Sequence, residues 1–390
     1  KILQQIPFPH SLGVFYATFT EFLGFTPNSD EWKVMGAAAL GDPARFYDRI
    51  SGLIRWEKDR YYLDLSYFEF SNMKFGGYFT SNLEKYLGIK RRQPDEPLKQ
   101  VHYDIAASVQ KVYEDNFLRI LSVLYRITGS RNIVLGGGCA MNSLANGKVL
   151  LKSARGDFFE KLYIPYAPAD NGGSIGSALW VYYNNYAQSG RLKSGTGEYE
   201  KISSPYLGPS YTDVEIKNTL DKYKLRYTKY HGADKVCAMS ASLLAQGRII
   251  GWFQGAMEFG ERALGNRSIL ADPRDSAMKD KINKAVKYRE SFRPFAPSVI
   301  YEKSGHYFSL PLSGLKVPYM EQVYPVKPDK CKLIPAVTHY DGTARLQTVE
   351  KDFNPRYYRL LKEFEKLTGI PVVLNTSFNI QGEPIVCSPS

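Results

Sequence analysis

Apolar residues recur with a helical period over a long stretch in the first half of the chain. Between Tyr103 and Tyr125, apolar positions such as Ile105 and Val109 return every three to five residues, with charged residues between many of them. A spacing close to 3.6 residues places the apolar side chains on one face of a helix. The pattern therefore predicts a long amphipathic helix over 103–125.

Two short apolar runs follow this helix, and each ends in a turn that contains glycine. The runs at 132–135 and 161–164 precede the turns at 136–138 and 165–173, and a helical pattern begins after each turn. Strand, glycine turn and helix in succession, repeated twice, are typical of an α/β domain.

The same kind of pattern resumes in the second half, which predicts two α/β domains at 1–187 and 211–390. The stretch 188–210 between them is rich in Gly, Ser and Pro and lacks periodicity, which indicates a linker. The aromatic segment 61–79 alternates in patches, which favours a hairpin. In the second half we predict helices at 213–222, 234–246, 278–286 and 357–367, and strands at 248–253 and 371–374.

Composition and charge narrow the class of protein. The 390 residues include 51 Lys and Arg against 39 Asp and Glu, a formal charge of +12. Such a charge suits nucleic acid, or small polyanionic substrates such as nucleotides and acyl phosphates. The four cysteines lie far apart, which indicates reduced thiols and a cytoplasmic location. With no apolar run of about 18 residues and no secretory signal, we expect no membrane association.

The two glycine turns are the first candidate ligand site. Consecutive glycines let the backbone approach a ligand, and amides at a helix N-terminus favour a phosphate. The segments 136–142 and 169–173 both have this form, and neighbouring strand ends make the crevice where α/β sheets bind ligands. A simple turn is the alternative for each. Asp170 is either a helix cap or a metal ligand, and His10 has no second ligand near it in sequence.

The segment 255–274 concentrates arginines among glycines and aromatic residues. Arg262, Arg267 and Arg274 lie within twenty residues that also hold three glycines, and Arg289 and Arg293 follow downstream. Guanidinium groups held rigidly in this way suit bidentate binding of phosphate or carboxylate oxygens. The alternative is structural arginines that tie loops to backbone carbonyls.

Small polar residues follow the last predicted strand. Asn375 and Ser377 come directly after the run 371–374, where side chains at the carboxyl end of a strand are typical ligand contacts. The alternative is a local Asx or Ser/Thr turn. The chain has no Ser/His/Asp triad, no Walker A motif and no H-E-x-x-H motif.

Together these segments resemble the O-carbamoyltransferases of nodulation and antibiotic biosynthesis, which include the tobramycin and cephamycin carbamoyltransferases. The resemblance rests on HSLG, EWKVMG, DIAASVQ, GGGCAMNS, APADNGGSIG, MEFGERALGNRSILADPR, FRPFAP and NTSFNIQGEPIV. It implies an actin/sugar-kinase-like (ASKHA) domain followed by a YrdC-like domain. The YrdC-like domain would form carbamoyl adenylate from carbamoyl phosphate and ATP. The first domain would transfer the carbamoyl group to a hydroxyl of a small-molecule acceptor, a sugar or natural product, beside a bound metal, expected to be iron.

The resemblance also assigns residues to these steps. It implies metal ligands at His10 and Asp170, and it places nucleotide binding at Gly137, Gly138, Asn142, Gly172 and Gly173. The adenylate-forming residues would be Arg262, Arg267, Arg289, Arg293, Asn375 and Ser377. The family's H-x-x-x-H pair and its final segment do not occur here, so we expect a fragment of a longer protein with an incomplete metal site.

Two other functions stay open from the sequence. A tRNA threonylcarbamoyl-type modification enzyme shares both domain types and suits the positive charge, although the domain order and the EFG-x-RALG motif favour a small-molecule acceptor over nucleic acid. The other is a non-catalytic nucleotide-binding module. The sequence also leaves a homodimer open.

Overall fold

The computed structural model describes residues 1–70, 77–153, 159–188, 204–288 and 292–390, and these form a mixed α/β structure. The first half is mainly helical around two small sheets. Its helices are α1 (Leu12–Phe22), α2 (Glu31–Ala37), α3 (Tyr47–Ser51), α4 (Ser81–Leu87), α5 (Gln100–Thr128), α6 (Ser143–Ser153) and α7 (Asp170–Gln188). Its strands are β1 (Ile54–Glu57), β2 (Arg60–Leu63), β3 (Asn132–Val134) and β4 (Lys161–Tyr163).

The core of the first half forms where α1 and α5 pack together. Phe15, Phe19 and Phe22 of α1 are fully buried and recur at three- and four-residue spacing, so they share one face. They pack with Ile105 and Val109 of α5 in one apolar cluster. Strands β1 and β2 form an antiparallel hairpin, whereas β3 and β4 pair in parallel.

The second half is built on a five-stranded mixed sheet with the strand order β10–β7–β11–β6–β5. Strand β10 is parallel to β7, and the other neighbours are antiparallel. The strands of this half are β5 (Ile250–Phe253), β6 (Arg267–Ala271), β7 (Ala296–Ile300), β8 (Val323–Pro325), β9 (Thr343–Arg345), β10 (Gln347–Val349) and β11 (Val372–Ser377). Its helices are α8 (Asp213–Lys222), α9 (Ala233–Ala245), α10 (Met278–Ile282), α11 (Ser304–Tyr307), α12 (Pro328–Cys331) and α13 (Pro355–Thr368).

Helix α13 shows why these residues form a helix that covers the sheet. Asn354 accepts a hydrogen bond from the Tyr357 N–H at the N-terminus, Pro355 fills the first position, and Gly369 ends the helix in the left-handed region. Leu360, Leu361 and Phe364 are fully buried in the core formed with the sheet and α9.

The predicted α/β class is confirmed, as is the long helix, which is α5. The strands predicted at 132–135, 161–164, 248–253 and 371–374 occur with shifted ends, and the predicted helices occur within a few residues, although 278–286 continues as a π-helical turn. Two predictions were incomplete. The hairpin lies at 54–63 and overlaps only the start of the predicted 61–79; among the described residues farther along that segment, an isolated bridge joins Phe68 and Phe79. The central strands β6 and β7 were not predicted.

The two halves contact each other along α6 and along the loop that carries Tyr166. A Cβ added to Gly147 of α6 would lie 2.1 Å from the carbonyl oxygen of Val323, so the helix backbone touches β8 directly. Asn146 Nδ2 donates to the Glu321 carbonyl at 2.9 Å, and Tyr166 meets Tyr319 edge to face. These contacts pack the two halves directly against each other.

Most of the predicted linker, at 189–203, lies outside the described residues, so the domain boundary stays a prediction. The part at 204–210 packs on the second half, where Gly208 N–H donates to the Met257 carbonyl and Met257 N–H donates to that of Pro209. Among the described residues, no helix is long and apolar enough to cross a membrane.

Candidate active site

A cavity of about 1070 Å³ lies between the two halves and receives residues from both. From the first half it is lined by parts of α1 and α2 and by the two predicted ligand turns, at 138–144 and 169–171. From the second half it is lined chiefly by 261–263, 292–296, 339–341 and 375–377. Tertiary structure therefore brings the glycine turns and the arginine segment, which are about 90 to 125 residues apart in the sequence, to one cavity.

On the first-half wall, both polar atoms of the Asn142 side chain are hydrogen-bonded to other groups of the protein. Its Oδ1 accepts from the Ala145 N–H, as the N-terminal cap of α6, and from Gln110 Nε2, while its Nδ2 donates to Gln110 Oε1. Gln110 also accepts from the Tyr16 hydroxyl and donates to the buried Glu114 carboxylate, which pairs with Lys148. Asn142 lines the cavity, but its hydrogen bonds hold the wall in place.

Of the predicted nucleotide-binding glycines, only Gly138 lines the cavity. Gly137 has a φ of 86° and donates its N–H to the Pro168 carbonyl at 2.7 Å, which ties the two turns together. A Cβ on Gly172 would lie 2.1 Å from the Ala167 carbonyl oxygen. Gly137, Gly172 and Gly173 are not among the cavity-lining residues, and the first two shape the turns, as in the alternative interpretation.

Asp170 and His10, the two predicted metal ligands, have different surroundings. Asp170 is exposed, is the first residue of α7 and lines the cavity, where the helix dipole favours a carboxylate. His10 does not line the cavity, and its Nδ1 accepts a hydrogen bond from the Leu63 N–H. A neutral ring that accepts at Nδ1 carries its proton on Nε2 and has no lone pair left there for a metal.

The described residues do not fit a metal site. Nowhere in the described ranges do three His, Cys, Asp or Glu side chains come close enough to hold an ion. A catalytic metal usually keeps at least three protein ligands, so the described residues by themselves do not complete such a site.

Arg262 is one of the predicted arginines that lie on the cavity wall. It lines the cavity, and its guanidinium makes no hydrogen bond or ion pair with any residue that the structure describes. Burial lowers its pKa. Its loop is held by Gly260, which has a φ of 126° and whose added Cβ would meet the Tyr166 carbonyl at 2.5 Å. A guanidinium without protein partners in a cavity wall is available for an anion.

Arg267, five residues away, has the opposite environment. Its side chain is fully buried at the start of β6 and is absent from the cavity wall. Its guanidinium donates to four backbone carbonyls, those of Pro209, Gln254, Gly255 and Asn266, and stacks on the Phe253 ring at 3.6 Å. The predicted catalytic role of Arg267 finds no support in this geometry, which matches the structural alternative.

A carboxylate that sequence reasoning passed over organises this arginine loop. Glu258 is buried, and its Oε1 accepts from the backbone N–H groups of Leu264, Asn266 and Arg267 at 2.8, 2.6 and 3.2 Å. The signal available in the sequence was a pair of acids, Glu258 and Glu261, before the first arginine of a glycine-rich stretch. Glu258 thus turns the chain so that Arg262 and Arg267 diverge.

Arg293 lines the cavity and lies over the ring of Trp32 on α2 at 3.7 Å, so it joins the two walls. Arg289, the remaining arginine of the four predicted for adenylate formation, lies outside the described residues.

The sequence predicted Asn375 and Ser377 just beyond the end of the last strand. The structure places both residues within β11. Asn375 is 1% exposed and lines the cavity. Its Nδ2 donates to the Ala263 carbonyl, to Ser298 Oγ and to Gln347 Oε1, each at 3.1 Å, while its Oδ1 has no partner among the described residues. Two of those partners can only accept, which fixes the amide orientation. The unpaired atom is therefore an acceptor.

Ser377 lines the cavity too, but its hydroxyl belongs to a local network. The Ser377 hydroxyl donates to Asn379 Oδ1 at 2.6 Å and accepts from Lys287 Nζ at 3.1 Å. This network holds the chain after β11 against the turn that follows α10.

Several cavity residues were not predicted from the sequence. They include Tyr16 and Trp32 from the first half and Lys279, His339, Asp341 and Arg345 from the second. The stretch 339–345 contains a His, an Asp and an Arg in a glycine turn, which was an available but unspecific signal.

Comparison with known proteins agrees with this arrangement. The family models described as Carbamoyltransferase N-terminus and Carbamoyltransferase C-terminus match residues 1–179 and 241–390. An uncharacterized protein of Synechocystis is 41% identical over 99% of this chain and 64% of its own length. Nodulation protein NolNO of Sinorhizobium fredii is 38% identical over 100% of this chain and 53% of its own length. Nodulation protein NolO of Bradyrhizobium diazoefficiens is 36% identical over 100% of this chain and 67% of its own length.

The chain spans between about half and two thirds of the length of these curated relatives. Both family models match, and they fall on the two halves that meet at the cavity. This chain belongs to the carbamoyltransferase family.

Proposed function

We propose that this protein is an ATP-dependent O-carbamoyltransferase that acts on a hydroxyl group of a small-molecule acceptor, a sugar or natural product. In this proposal the first half is an actin/sugar-kinase-like domain and the second half is a YrdC-like domain that forms carbamoyl adenylate. The observation that carries the proposal is Arg262, a half-buried guanidinium without a partner among the described residues, in a cavity shared by both halves. Such a group suits the phosphates of ATP and carbamoyl phosphate.

The chemistry balances in three steps. Water attacks the carbamoyl carbon of carbamoyl phosphate, inorganic phosphate leaves, and carbamate remains. A carbamate oxygen then attacks the α-phosphorus of ATP, and pyrophosphate leaves with the electron pair of the broken P–O bond. Finally, the acceptor hydroxyl oxygen attacks the carbamoyl carbon, its proton passes to solvent, and AMP leaves. Negative charge gathers on phosphate oxygens in the second step, where fixed cations stabilise it most.

The cavity residues suit these three reaction steps. Arg262 and Arg293 supply positive charge from the second half, and the unpaired Oδ1 of Asn375 accepts an N–H or O–H of the ligand. The residues Gly138 and Asp170 line the part of the cavity from the first half, where the later transfer would take place. A single cavity allows the reactive adenylate to meet the acceptor without release into water.

Exchange of radiolabelled pyrophosphate into ATP tests the proposal. We expect exchange that requires carbamoyl phosphate, because only the carbamate derived from it can displace pyrophosphate. Binding of ATP without exchange would instead indicate a non-catalytic nucleotide-binding module. Retention of radiolabelled tRNA on a filter, at a salt concentration near physiological, would favour the tRNA-modifying alternative.

A further inference from the structure

A histidine that the sequence did not single out lines the same cavity. His339 follows the 3₁₀ turn Pro335–Val337, and its Nδ1 lies 3.2 Å from Thr343 Oγ1. Its other ring nitrogen, Nε2, is buried and makes no hydrogen bond with any described residue. Most buried polar side-chain atoms have a partner, so an unpaired nitrogen beside a cavity calls for an explanation.

A chain of hydrogen bonds fixes where the proton of this ring lies. Thr343 Oγ1 is 2.7 Å from Asp341 Oδ1, which can only accept, so the hydroxyl proton points to Asp341. Thr343 Oγ1 must then accept from His339, and the ring proton is on Nδ1. The backbone N–H of His339 also donates to the backbone carbonyl of Thr343, and this hydrogen bond anchors the turn. Nε2 therefore presents a lone pair in a fixed direction.

Electrostatics keep this imidazole neutral. Burial, together with the positive charges of Arg345 and Lys279, lowers the pKa of His339 to about 4, and Asp341 opposes the shift only in part. An imidazole with so low a pKa is a weak base at neutral pH. It is suited to accept a hydrogen bond without taking the proton.

The surroundings of His339 indicate what donates that hydrogen bond. Arg345 and Lys279 line the same cavity and favour a phosphate near the ring. The ligand should then carry an N–H within a few ångströms of a phosphate group. Carbamoyl phosphate has this form, because its amine and its phosphate are attached through one carbon and one oxygen. The amine of ATP lies at the far end of the nucleotide from its phosphates.

We propose that Nε2 of His339 accepts a hydrogen bond from the carbamoyl amine and makes the site select carbamoyl phosphate over acetyl phosphate. Acetyl phosphate has a methyl group where carbamoyl phosphate has NH₂, so it would leave Nε2 buried and unpaired. Sites built to bind an N–H or O–H reject analogues that lack it far more strongly than apolar pockets reject a missing methyl. This inference rests on the proposed function and names a specificity-determining residue for it.

Titration calorimetry of this chain with carbamoyl phosphate, acetyl phosphate and inorganic phosphate tests the inference. The wild type should bind carbamoyl phosphate about 10- to 100-fold more tightly than acetyl phosphate, as expected when one analogue leaves a buried acceptor unpaired. His339→Phe should bring the two affinities within about threefold of each other, because it removes the acceptor, and should leave inorganic phosphate binding unchanged. His339→Gln, whose amide oxygen can accept, should keep part of the preference.

Two controls separate selectivity from folding. His306→Phe makes the same replacement at an exposed position of α11 outside the cavity, and it should keep the full preference. The thermal unfolding midpoint of each variant reports whether it folds. If His339→Phe does not fold, the conservative variant His339→Gln still tests the inference.

The outcomes distinguish this inference from the function on which it rests. A wild type that binds no carbamoyl phosphate would reject both. Wild-type binding with equal affinity for the two acyl phosphates would overturn only the role of His339. A folded His339→Phe variant that retains the preference for carbamoyl phosphate would also overturn only the role of His339.

Discussion

The two walls of the cavity differ in how their polar groups are paired. On the first-half wall, the Asn142 amide is hydrogen-bonded to Gln110 and to the backbone at the start of α6. The Tyr16 hydroxyl also donates a hydrogen bond to Gln110. On the second-half wall, Arg262 has no partner among the described residues, and neither have Asn375 Oδ1 and His339 Nε2. Both walls are polar, but among the described lining residues the buried acceptors without a partner, Asn375 Oδ1 and His339 Nε2, lie on the second wall.

This difference indicates which wall recognises the small ligands. A buried polar group without a partner costs free energy of folding, and such groups persist where a ligand supplies the missing hydrogen bond. The first-half wall is already satisfied, so it is suited to hold a shape and to receive the acceptor. The second-half wall is suited to bind phosphates and an amine.

The largest expected effect contrasts Arg262 with Asp170. Arg262→Ala should reduce carbamoyl phosphate-dependent pyrophosphate exchange by about 100-fold or more, because it removes a charged donor from the wall that binds phosphate. Asp170→Ala, on the opposite wall, should largely spare exchange and impair only transfer to the hydroxyl. Arg359→Ala is the matched control, since Arg359 lies on α13 and pairs with Glu363 outside the cavity.

Equal loss of exchange in the Arg262 and Asp170 variants would show that the walls do not divide the two reactions. Wild-type exchange in both would show that Arg262 is structural, which was the alternative interpretation of the arginine segment.

The next largest effect is expected at the contact between α6 of the first half and β8 of the second. Gly147→Ala should lower the free energy of unfolding by about 3 kcal/mol, because its Cβ would lie 2.1 Å from the Val323 carbonyl oxygen and overpack the junction. Gly176→Ala on α7 is the matched control, since nothing lies within 4 Å of its added Cβ. That variant should be unchanged or slightly more stable. Urea denaturation measures both, and equal values for the two variants would contradict direct packing of α6 on β8.

A smaller effect is expected from the network behind the first-half wall. Gln110→Ala should lower the free energy of unfolding by about 2 kcal/mol, because it leaves Tyr16, Glu114 and Asn142 with buried groups that lack a partner. Urea denaturation of the variant checks this. A loss below about 0.5 kcal/mol would show that the first-half wall is not held by this network.

The smallest effect concerns Glu321, which borders a small crevice between the halves together with Arg262. Burial raises the pKa of this carboxyl to about 7, against the opposing hydrogen bond from the Tyr319 N–H. A pKa raised by folding gives stability that is present at low pH and is lost as the pH rises from about 4.5 to 7.

Glu321→Gln should therefore match the wild type near pH 4. Near pH 8 it should be more stable by about 1–2 kcal/mol, a range reduced from the full shift because the side chain is only partly enclosed. Unfolding free energies across this pH range measure the difference. A constant difference between the two proteins would mean that Glu321 titrates normally.

Local patterns were sufficient for much of the fold. Helix α5 and strands β3 and β4 follow from apolar spacing and glycine turns, which act over a few residues. Strands β6 and β7 were missed because Arg267 and Pro297 interrupt their apolar runs. Both strands pair with β11, which lies about 75 to 110 residues away in the sequence, and no local pattern contains such a partner.

The candidate site divides in the same way. Residue types and glycine positions in the sequence were enough to indicate the α/β class, the arginine segment and the resemblance to carbamoyltransferases, because each depends on neighbours along the chain. Only the folded structure shows that Arg262 lies on the cavity wall without a described partner, whereas Arg267 is enclosed by backbone carbonyls. The partners that enclose Arg267 include Pro209, 58 residues away, and those that orient Asn375 include Ala263, 112 residues away. A side chain is directed to a ligand when no distant segment supplies its hydrogen bonds, and that is settled by tertiary packing.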